Sequence, residues 1–207
     1  MILNMPLLQV AVLLPLLLMS LTFHEWAHGR AALALGDATA REQGRLTLNP
    51  LRHIDITGLI MLLVVGVGWA RPVPIDIRRL RSPRRDLVLV SVAGPASNLL
   101  IAGVTGVIAR LYLQAAGSPQ APLFRVLLLV TVINGMLFFF NMLPIPPLDG
   151  SKLVGMALQG SYPKLSSLYF RYGSYLLLAV LIAQVGFEVP IIPFSQVTQL
   201  ILSLLVP

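Results

Sequence analysis

The stretch that decides the fold is "VAVLLPLLLMSLTFHEWAHGR", residues 10–30, where an uncharged apolar run continues directly into two histidines and a glutamate. Such a run is typical of a helix in hydrocarbon, where ionisable groups are costly and usually functional. Because the polar residues are continuous with the run, His24, Glu25 and His28 are predicted to lie inside a membrane helix.

The composition of the whole chain agrees with a membrane protein. Of its 207 residues, 57% are hydrophobic and 11% are charged, which is too apolar for an ordinary soluble domain. The absence of cysteine excludes disulfides and thiolate metal ligands. The chain has a net charge of +7, and in a membrane protein such an excess of Lys and Arg usually lies in the cytoplasmic loops. We therefore expect the lipid bilayer, and not nucleic acid, as the partner of this chain.

The predicted fold is an all-α polytopic membrane protein with about four to six transmembrane or re-entrant helices. The apolar segments that predict these helices are residues 7–35, 86–113, 123–141, 172–187 and 190–206. The last two make either one long pass with a return or a helical hairpin, because Pro190 and Pro193 interrupt the apolar sequence.

Two connections have patterns of their own. The polar connection 36–58 contains "GRLTLNP", residues 44–50, whose alternation predicts a short membrane-associated β-hairpin near residues 43–50. The following segment, residues 59–70, is apolar, but as a helix it covers roughly 18 Å, against about 30 Å of hydrocarbon. It is predicted to be a re-entrant or half-spanning element, and whether it spans the membrane stays open.

The distribution of Lys and Arg predicts the orientation in the membrane. If residues 59–70 do not span, 13 of the 15 basic residues lie on one side, and only Arg110 and Arg125 lie on the other. The positive-inside rule makes the side with 13 cytoplasmic. The first helix then runs from outside to inside, and its polar residues face the cytoplasmic half of the membrane.

The pattern HEWAH, residues 24–28, predicts a metal site. His24 and His28 are four residues apart, so on a helix both imidazoles lie on one face and can hold one metal ion. Glu25 lies one step round the helix, where it can act as a general base on a water held by Zn²⁺. The alternative is a chance pair of structural histidines.

A catalytic zinc site needs a third protein ligand at the same depth. Asp149, in "NMLPIPPLDG" (residues 141–150), is the candidate, because it follows an apolar segment that prolines interrupt. Its alternative role is the N-cap of a helix over residues 151–159. Asn98, in "AGPASN" (residues 93–98), is predicted at a similar depth, where it either contacts substrate or joins helices by hydrogen bonds.

Together these three motifs resemble the site-2 protease family, the intramembrane zinc metalloproteases of peptidase family M50. The family's hallmarks are HExxH and a distant N-x-x-P-x-x-x-x-D-G, and its middle helix carries GPxxN. The matching residues are His24, Glu25, His28, Asn141, Pro144, Asp149 and Gly150 for the hallmarks, and Gly94, Pro95 and Asn98 for the middle helix. The chain is most similar to the compact prokaryotic branch that has no PDZ or CBS domain.

The resemblance implies one zinc ion per chain, held by His24, His28 and Asp149, with Glu25 as the catalytic acid and base. It also implies that the β-hairpin pairs with an extended substrate. Asn98 and Asn141 are candidates for substrate positioning and oxyanion stabilisation.

The implied activity is that of a zinc metalloendopeptidase, which hydrolyses peptide bonds of transmembrane proteins or peptides within or near the bilayer, with regulated intramembrane proteolysis as its setting. Residues 1–207 are expected to form one membrane domain in a prokaryotic cell membrane, with a catalytic core at about 7–155 and C-terminal helices at about 160–207. The alternative is a non-proteolytic zinc-binding transporter or scaffold. The substrate and the oligomeric state stay open, and His53 is interpreted as a loop histidine.

Overall fold

The computed structural model describes residues 5–116, 118–187 and 189–205, and this part of the chain contains eight α-helices and no β-strand. The helices are α1 (Leu7–Ala34), α2 (Thr39–Glu42), α3 (Ile56–Val65), α4 (Pro83–Ala116), α5 (Pro122–Asn141), α6 (Gly150–Ser161), α7 (Pro163–Gly186) and α8 (Phe194–Leu205). The predicted all-α class is confirmed.

Four of these helices, α1, α4, α5 and α7, are long and apolar enough to cross a membrane, which identifies an integral membrane protein. Helix α7 begins earlier than the predicted segment 172–187, because Pro163 occupies its first turn and no helix breaker follows before residue 172. The last predicted segment, 190–206, contains only α8, whose 12 residues cover about 18 Å. Residue 206 lies outside the described residues.

Helix α4 packs against both α1 and α5, and these three helices carry every predicted site residue except Asp149, which directly precedes α6. Small and polar side chains join them, as expected where lipid removes the hydrophobic drive for helix association. Between α4 and α5, the hydroxyls of Thr105 and Thr131 are 2.8 Å apart. Near the end of α1, the side chains of Ala32, Leu80 and Val90 form a small buried cluster.

The segment around α3 leaves the bundle and returns to the same place. Helix α3 has 10 residues and covers about 15 Å. Gly66 ends it with φ +86°, a left-handed conformation that favours glycine. The chain then turns back, so that Ile54 and Ala70 form an isolated antiparallel bridge and Arg71 N donates to His53 O at 2.8 Å. The two ends of this excursion are therefore joined to each other by backbone contacts.

The predicted β-hairpin near residues 43–50 is wrong. Pro50 begins a 3-10 turn directly after the alternating stretch, and the described residues contain no β-strand with which it could pair. Side chains hold the segment instead. Arg45 Nη2 donates to the carbonyls of Arg71 and Pro72 at 2.9 and 3.1 Å, and Leu46 packs against Gly29 of α1.

Asp37 attaches the connection after α3 to the end of α1. Its carboxylate accepts hydrogen bonds from Thr39 N at 2.9 Å and from Asp76 N at 2.7 Å. Burial acts to raise the pKa of the Asp37 carboxyl, but the hydrogen bonds from Thr39 and Asp76 outweigh it and hold that pKa below its usual value. A lowered folded-state pKa stabilises the fold above the unfolded pKa, and this stabilisation is lost as the pH falls.

Candidate metal centre

Three predicted ligands from two distant parts of the chain converge on one point. His24 Nε2 and His28 Nε2 are 3.0 Å apart, and Asp149 Oδ2 lies 3.1 Å from each of them. All three side chains are buried, and among the described residues they form the one group of three or more His, Asp or Glu side chains with this mutual spacing. The i, i+4 spacing on α1 and the broken helix before Asp149 therefore produce a single site.

The donor set fits zinc. Tetrahedral Zn²⁺ with bonds of about 2.0–2.2 Å to imidazole nitrogen and carboxylate oxygen requires ligand atoms roughly 3.3 Å apart. The observed separations of 3.0 and 3.1 Å are close to that value. Two neutral imidazoles and one carboxylate are also a common ligand set of catalytic zinc, with the fourth position left for water or substrate.

The hydrogen bond of the second nitrogen determines the tautomer of each neutral histidine ring. His24 Nδ1 lies 2.6 Å from Asn98 Oδ1, and His28 Nδ1 lies 2.7 Å from the Val90 carbonyl oxygen. Because an amide or carbonyl oxygen only accepts, each Nδ1 carries the proton and donates. In the neutral ring, each Nε2 then has its lone pair directed towards the shared point, as metal ligation requires.

Asn98 is held in turn by a chain of buried polar groups. Its Nδ2 donates to Asn134 Oδ1 at 2.8 Å, and Asn134 Nδ2 donates to Ser20 Oγ at 2.9 Å. Asn98 and Asn134 are both fully buried. Sequence reasoning missed Asn134 and Ser20. The signal was present, since Asn134 is an amide in the middle of the otherwise apolar helix α5, and such a residue needs partners.

The alternative role of Asp149 as a helix cap is not observed. Asp149 occupies the N-cap position of α6, but its side chain makes no cap hydrogen bond. Its Oδ2 faces the two histidines, while Oδ1 accepts from Lys152 Nζ at 2.8 Å. Lys152 was also missed from the sequence. It holds one oxygen of the carboxylate and leaves the other for the shared point.

Glu25 is held by the backbone of the connection after α3. The Val73 N–H donates to Glu25 Oε2 at 2.9 Å, and both residues are buried. Pro72 and Pro74 have no N–H, so Val73 supplies the only backbone donor of this three-residue run. The hydrogen bond therefore holds one carboxylate oxygen of Glu25, Oε2, in place.

A cavity of about 230 Å³ connects these groups. Its lining comprises His24, Glu25, His28, Pro72, Val73, Ile75, Val90, Ser91, Asn141, Pro147, Leu148, Asp149 and Lys152. Asn141 therefore lies on the cavity wall, where its Nδ2 donates to Leu137 O at 2.9 Å. Asn98 is not in the lining, because it lies behind His24.

Comparison with known proteins agrees with this geometry. A family model described as "Peptidase family M50" matches residues 104–183, a range that includes Asn141 and Asp149. A protein of Bacillus subtilis (strain 168), YwhC, is 44% identical over 154 residues, which cover 72% of this chain and 70% of that protein. The chain belongs to peptidase family M50.

Two further relatives of this M50 protein are more distant. Rip2 of Mycolicibacterium smegmatis (strain ATCC 700084 / mc(2)155) is 31% identical over 64% of this chain and 52% of its own. MJ0611 of Methanocaldococcus jannaschii is 30% identical over 64% of this chain and 63% of its own. All three relatives carry the printed name "Putative zinc metalloprotease". No solved structure gives a significant match to the chain.

The positions of Asn98 and Asn141 predict different effects for the two amides of this M50 protein. We expect Asn98→Leu to weaken zinc binding by about 10–100-fold, because it removes the acceptor that orients His24. Asn141→Leu is the matched substitution on the cavity wall, and it should lower peptide cleavage without changing zinc affinity. Zinc affinity measured by competition with a chelator separates the two. Unchanged zinc affinity in Asn98→Leu would leave Asn98 as a residue that joins helices by its hydrogen bond to Asn134.

Proposed function

We propose that this M50 protein is an intramembrane zinc metalloendopeptidase that hydrolyses peptide bonds of transmembrane proteins or peptides within or near the bilayer. One zinc ion per chain is held by His24, His28 and Asp149. Glu25 is the catalytic acid and base. One observation carries the proposal: Glu25 lies in the same buried cavity as the three converging ligand atoms, and the Val73 N–H orients its carboxylate.

When bound, zinc supplies Lewis acidity at the point where the three ligands meet. The side chains of the protein supply the proton transfers and position the substrate. Glu25 Oε1 accepts a proton from the attacking water and later donates it to the leaving amine, while Oε2 stays on the Val73 N–H. Asn141, on the wall of the same cavity, is placed to position the substrate or to donate to the developing oxyanion.

The orientation follows from the charges and the fold together. The C-terminal end of α1 and the N-terminal end of α4 lie on the same side, because Arg81 N donates to Leu35 O at 3.1 Å. Ten of the 15 Lys and Arg residues lie between residues 30 and 85, in the connection between these two helix ends and in the turns next to it. We therefore assign this side to the cytoplasm and place the site in the cytoplasmic half of a prokaryotic cell membrane. We further propose that residues 1–207 form one domain. This domain would act in regulated intramembrane proteolysis.

A zinc transporter or inactive scaffold is not favoured. A carrier needs a path of ionisable groups across the membrane. Among the described residues, the ionisable side chains that line the catalytic cavity are the three ligands, Glu25 and Lys152. A carrier also has no use for a carboxylate fixed beside its ligands by a backbone N–H.

Metal removal tests the proposal directly. The purified protein in liposomes is assayed on a panel of single-span peptides, with zinc content measured in parallel. We expect a chelator to abolish cleavage, and about one equivalent of zinc per chain to restore it. Transport of zinc across the liposome without cleavage of any peptide would support the carrier instead.

A further inference from the structure

A groove of about 610 Å³ lies between α4 and α7, apart from the catalytic cavity. Helix α6 forms its floor, because α6 packs against both α4 and α7, whereas those two helices have no comparable contact with each other. Spaces of roughly 300–1,000 Å³ commonly bind organic molecules. We call this space the interfacial groove. Its apolar walls include Leu87 and Val88 of α4, Met156 of α6 and Phe170 of α7.

The interfacial groove begins at a surface of the membrane. Arg84, in the first turn of α4, and Pro163, in the first turn of α7, both line it. Leu87 of α4 and Phe170 of α7 line it further along the same helices. Because α4 and α7 are both long and apolar enough to cross a membrane, their first turns lie at the level of the lipid headgroups. The groove therefore extends from the headgroups into the hydrocarbon.

The wall of the interfacial groove is positively charged. It contains Arg84 and Lys152, and no Asp or Glu side chain lines it. Lys152 donates to Asp149 at 2.8 Å, whereas Arg84 forms no ion pair with any of the described residues. The same is true of Arg81 and Arg85, on either side of Arg84 in the sequence. The surface end of the groove therefore attracts an anion.

Lipid is the occupant that the position and the charge of the groove favour. Met156 and Phe170 are 39% and 45% exposed, so the groove is open to the surrounding hydrocarbon, which contains no water. A transmembrane substrate and a second copy of this chain both carry Lys and Arg at their cytoplasmic flank, which Arg84 repels. Anionic phospholipids provide the negative charge of the cytoplasmic leaflet, and basic pockets between membrane helices bind their headgroups.

We propose that the interfacial groove binds one phospholipid with an anionic headgroup, whose phosphate is held by Arg84 and whose acyl chain lies against the apolar walls. This site is separate from the catalytic cavity. Among the described residues, Lys152 is the one that lines both spaces, and its Nζ is engaged by Asp149. Lipid binding is measured without cleavage of any peptide, so the result does not depend on the proposed function.

Two neighbouring arginines separate this site from a general attraction between lipid and a basic surface. Arg84→Gln removes the guanidinium from the groove, whereas Arg85→Gln makes the same change of charge at an exposed residue that does not line it. The full chain in a neutral detergent is titrated with phosphatidylglycerol, and bound lipid is counted by native mass spectrometry. We expect Arg84→Gln to weaken binding roughly tenfold and Arg85→Gln by less than about twofold. Equal losses in the two variants would overturn the proposal.

The headgroup is then varied while the acyl chains are kept. Phosphatidylcholine has a phosphate but no net charge, because its choline is cationic and lies next to Arg84 when the phosphate is bound. We expect it to bind roughly tenfold more weakly than phosphatidylglycerol, and to lose less affinity in Arg84→Gln. Equal affinity for the two lipids would show that the groove does not recognise an anion, and the proposal would be wrong. Zinc content and thermal stability, measured in parallel, should be the same in Arg84→Gln and Arg85→Gln.

Filling the groove tests the position of the acyl chain. Met156→Trp places a bulky ring in the groove, and we expect it to weaken binding of phosphatidylglycerol about tenfold or more. Leu165→Trp is the control, because Leu165 of α7 is 51% exposed and does not line the groove. Unchanged lipid affinity in Met156→Trp would overturn the proposal. Displacement of the bound lipid by a single-span peptide would assign the groove to substrate, and loss of a dimer in Met156→Trp with unchanged lipid affinity would assign it to a second copy. Either result would also overturn the proposal.

Discussion

Glu25→Gln is expected to reduce peptide cleavage by roughly 10²–10⁴-fold and to leave zinc bound. The amide is nearly isosteric with the carboxylate, and its oxygen still accepts from the Val73 N–H, which lies 2.9 Å from Glu25 Oε2. What is lost is the basic oxygen that takes the proton from water. His24, His28 and Asp149 are untouched, so the ligand triangle with sides of 3.0 and 3.1 Å persists.

The measurement pairs zinc content with initial cleavage rates for one single-span peptide in liposomes. Glu42→Gln is the matched control, since this carboxylate is about half exposed and pairs with Arg79 at 2.6 Å, away from the catalytic cavity. Cleavage by Glu25→Gln at the rate of Glu42→Gln would refute the general-base role. Loss of zinc together with cleavage would instead make Glu25 a residue that maintains the metal centre.

The residues at the centre were predictable because their chemistry is encoded locally. His24, Glu25 and His28 lie within a single helical turn, and the positions on that turn determine which side chains share a face. The role of Asp149 was harder to predict, because the sequence was compatible with either a metal ligand or a helix cap. The fold places its carboxylate 3.1 Å from both histidines. A contact between residues 125 positions apart is a property of the packing of the helices, which no local pattern contains.

The groups that support the centre were less predictable, for reasons that differ. Asn98 was recognised as a polar residue at the right depth, but the sequence does not tell which way a helix faces, and its amide lies behind His24. The donor to Glu25 is a backbone N–H at Val73, and backbone groups leave no residue-type signal. The prediction of a β-hairpin was wrong because the alternation near residues 43–50 indicates only a local preference for an extended backbone. A hairpin also needs a second strand to pair with.

Gly94→Ala is expected to destroy the metal centre while the protein stays folded. Gly94 is buried on α4 where this helix crosses α1. A Cβ at this position would stand 2.5 Å from His28 Cε1 and 2.7 Å from His24 Nε2. Real Cβ contacts are not this short, so either both imidazoles must turn away or the two helices must separate. In both cases the ligand atoms leave the narrow range of positions that a metal site tolerates, which is about 0.5 Å.

We therefore expect zinc affinity to fall roughly 100-fold or more in Gly94→Ala, and cleavage to fall with it. This loss is at least as large as that caused by substituting a residue that hydrogen-bonds to a metal ligand. Gly103→Ala is the matched control, because Gly103 lies on the same helix with no atom within 4 Å of an added Cβ. Alanine favours a helix over glycine by about 1 kcal/mol at either site, which counteracts unfolding. Zinc affinity by chelator competition and thermal stability in detergent are compared for the two variants. If Gly94→Ala binds zinc as tightly as Gly103→Ala does, the prediction is wrong. Helices α1 and α4 could then separate without disturbing His24 and His28, and their close crossing would not be what maintains the metal centre.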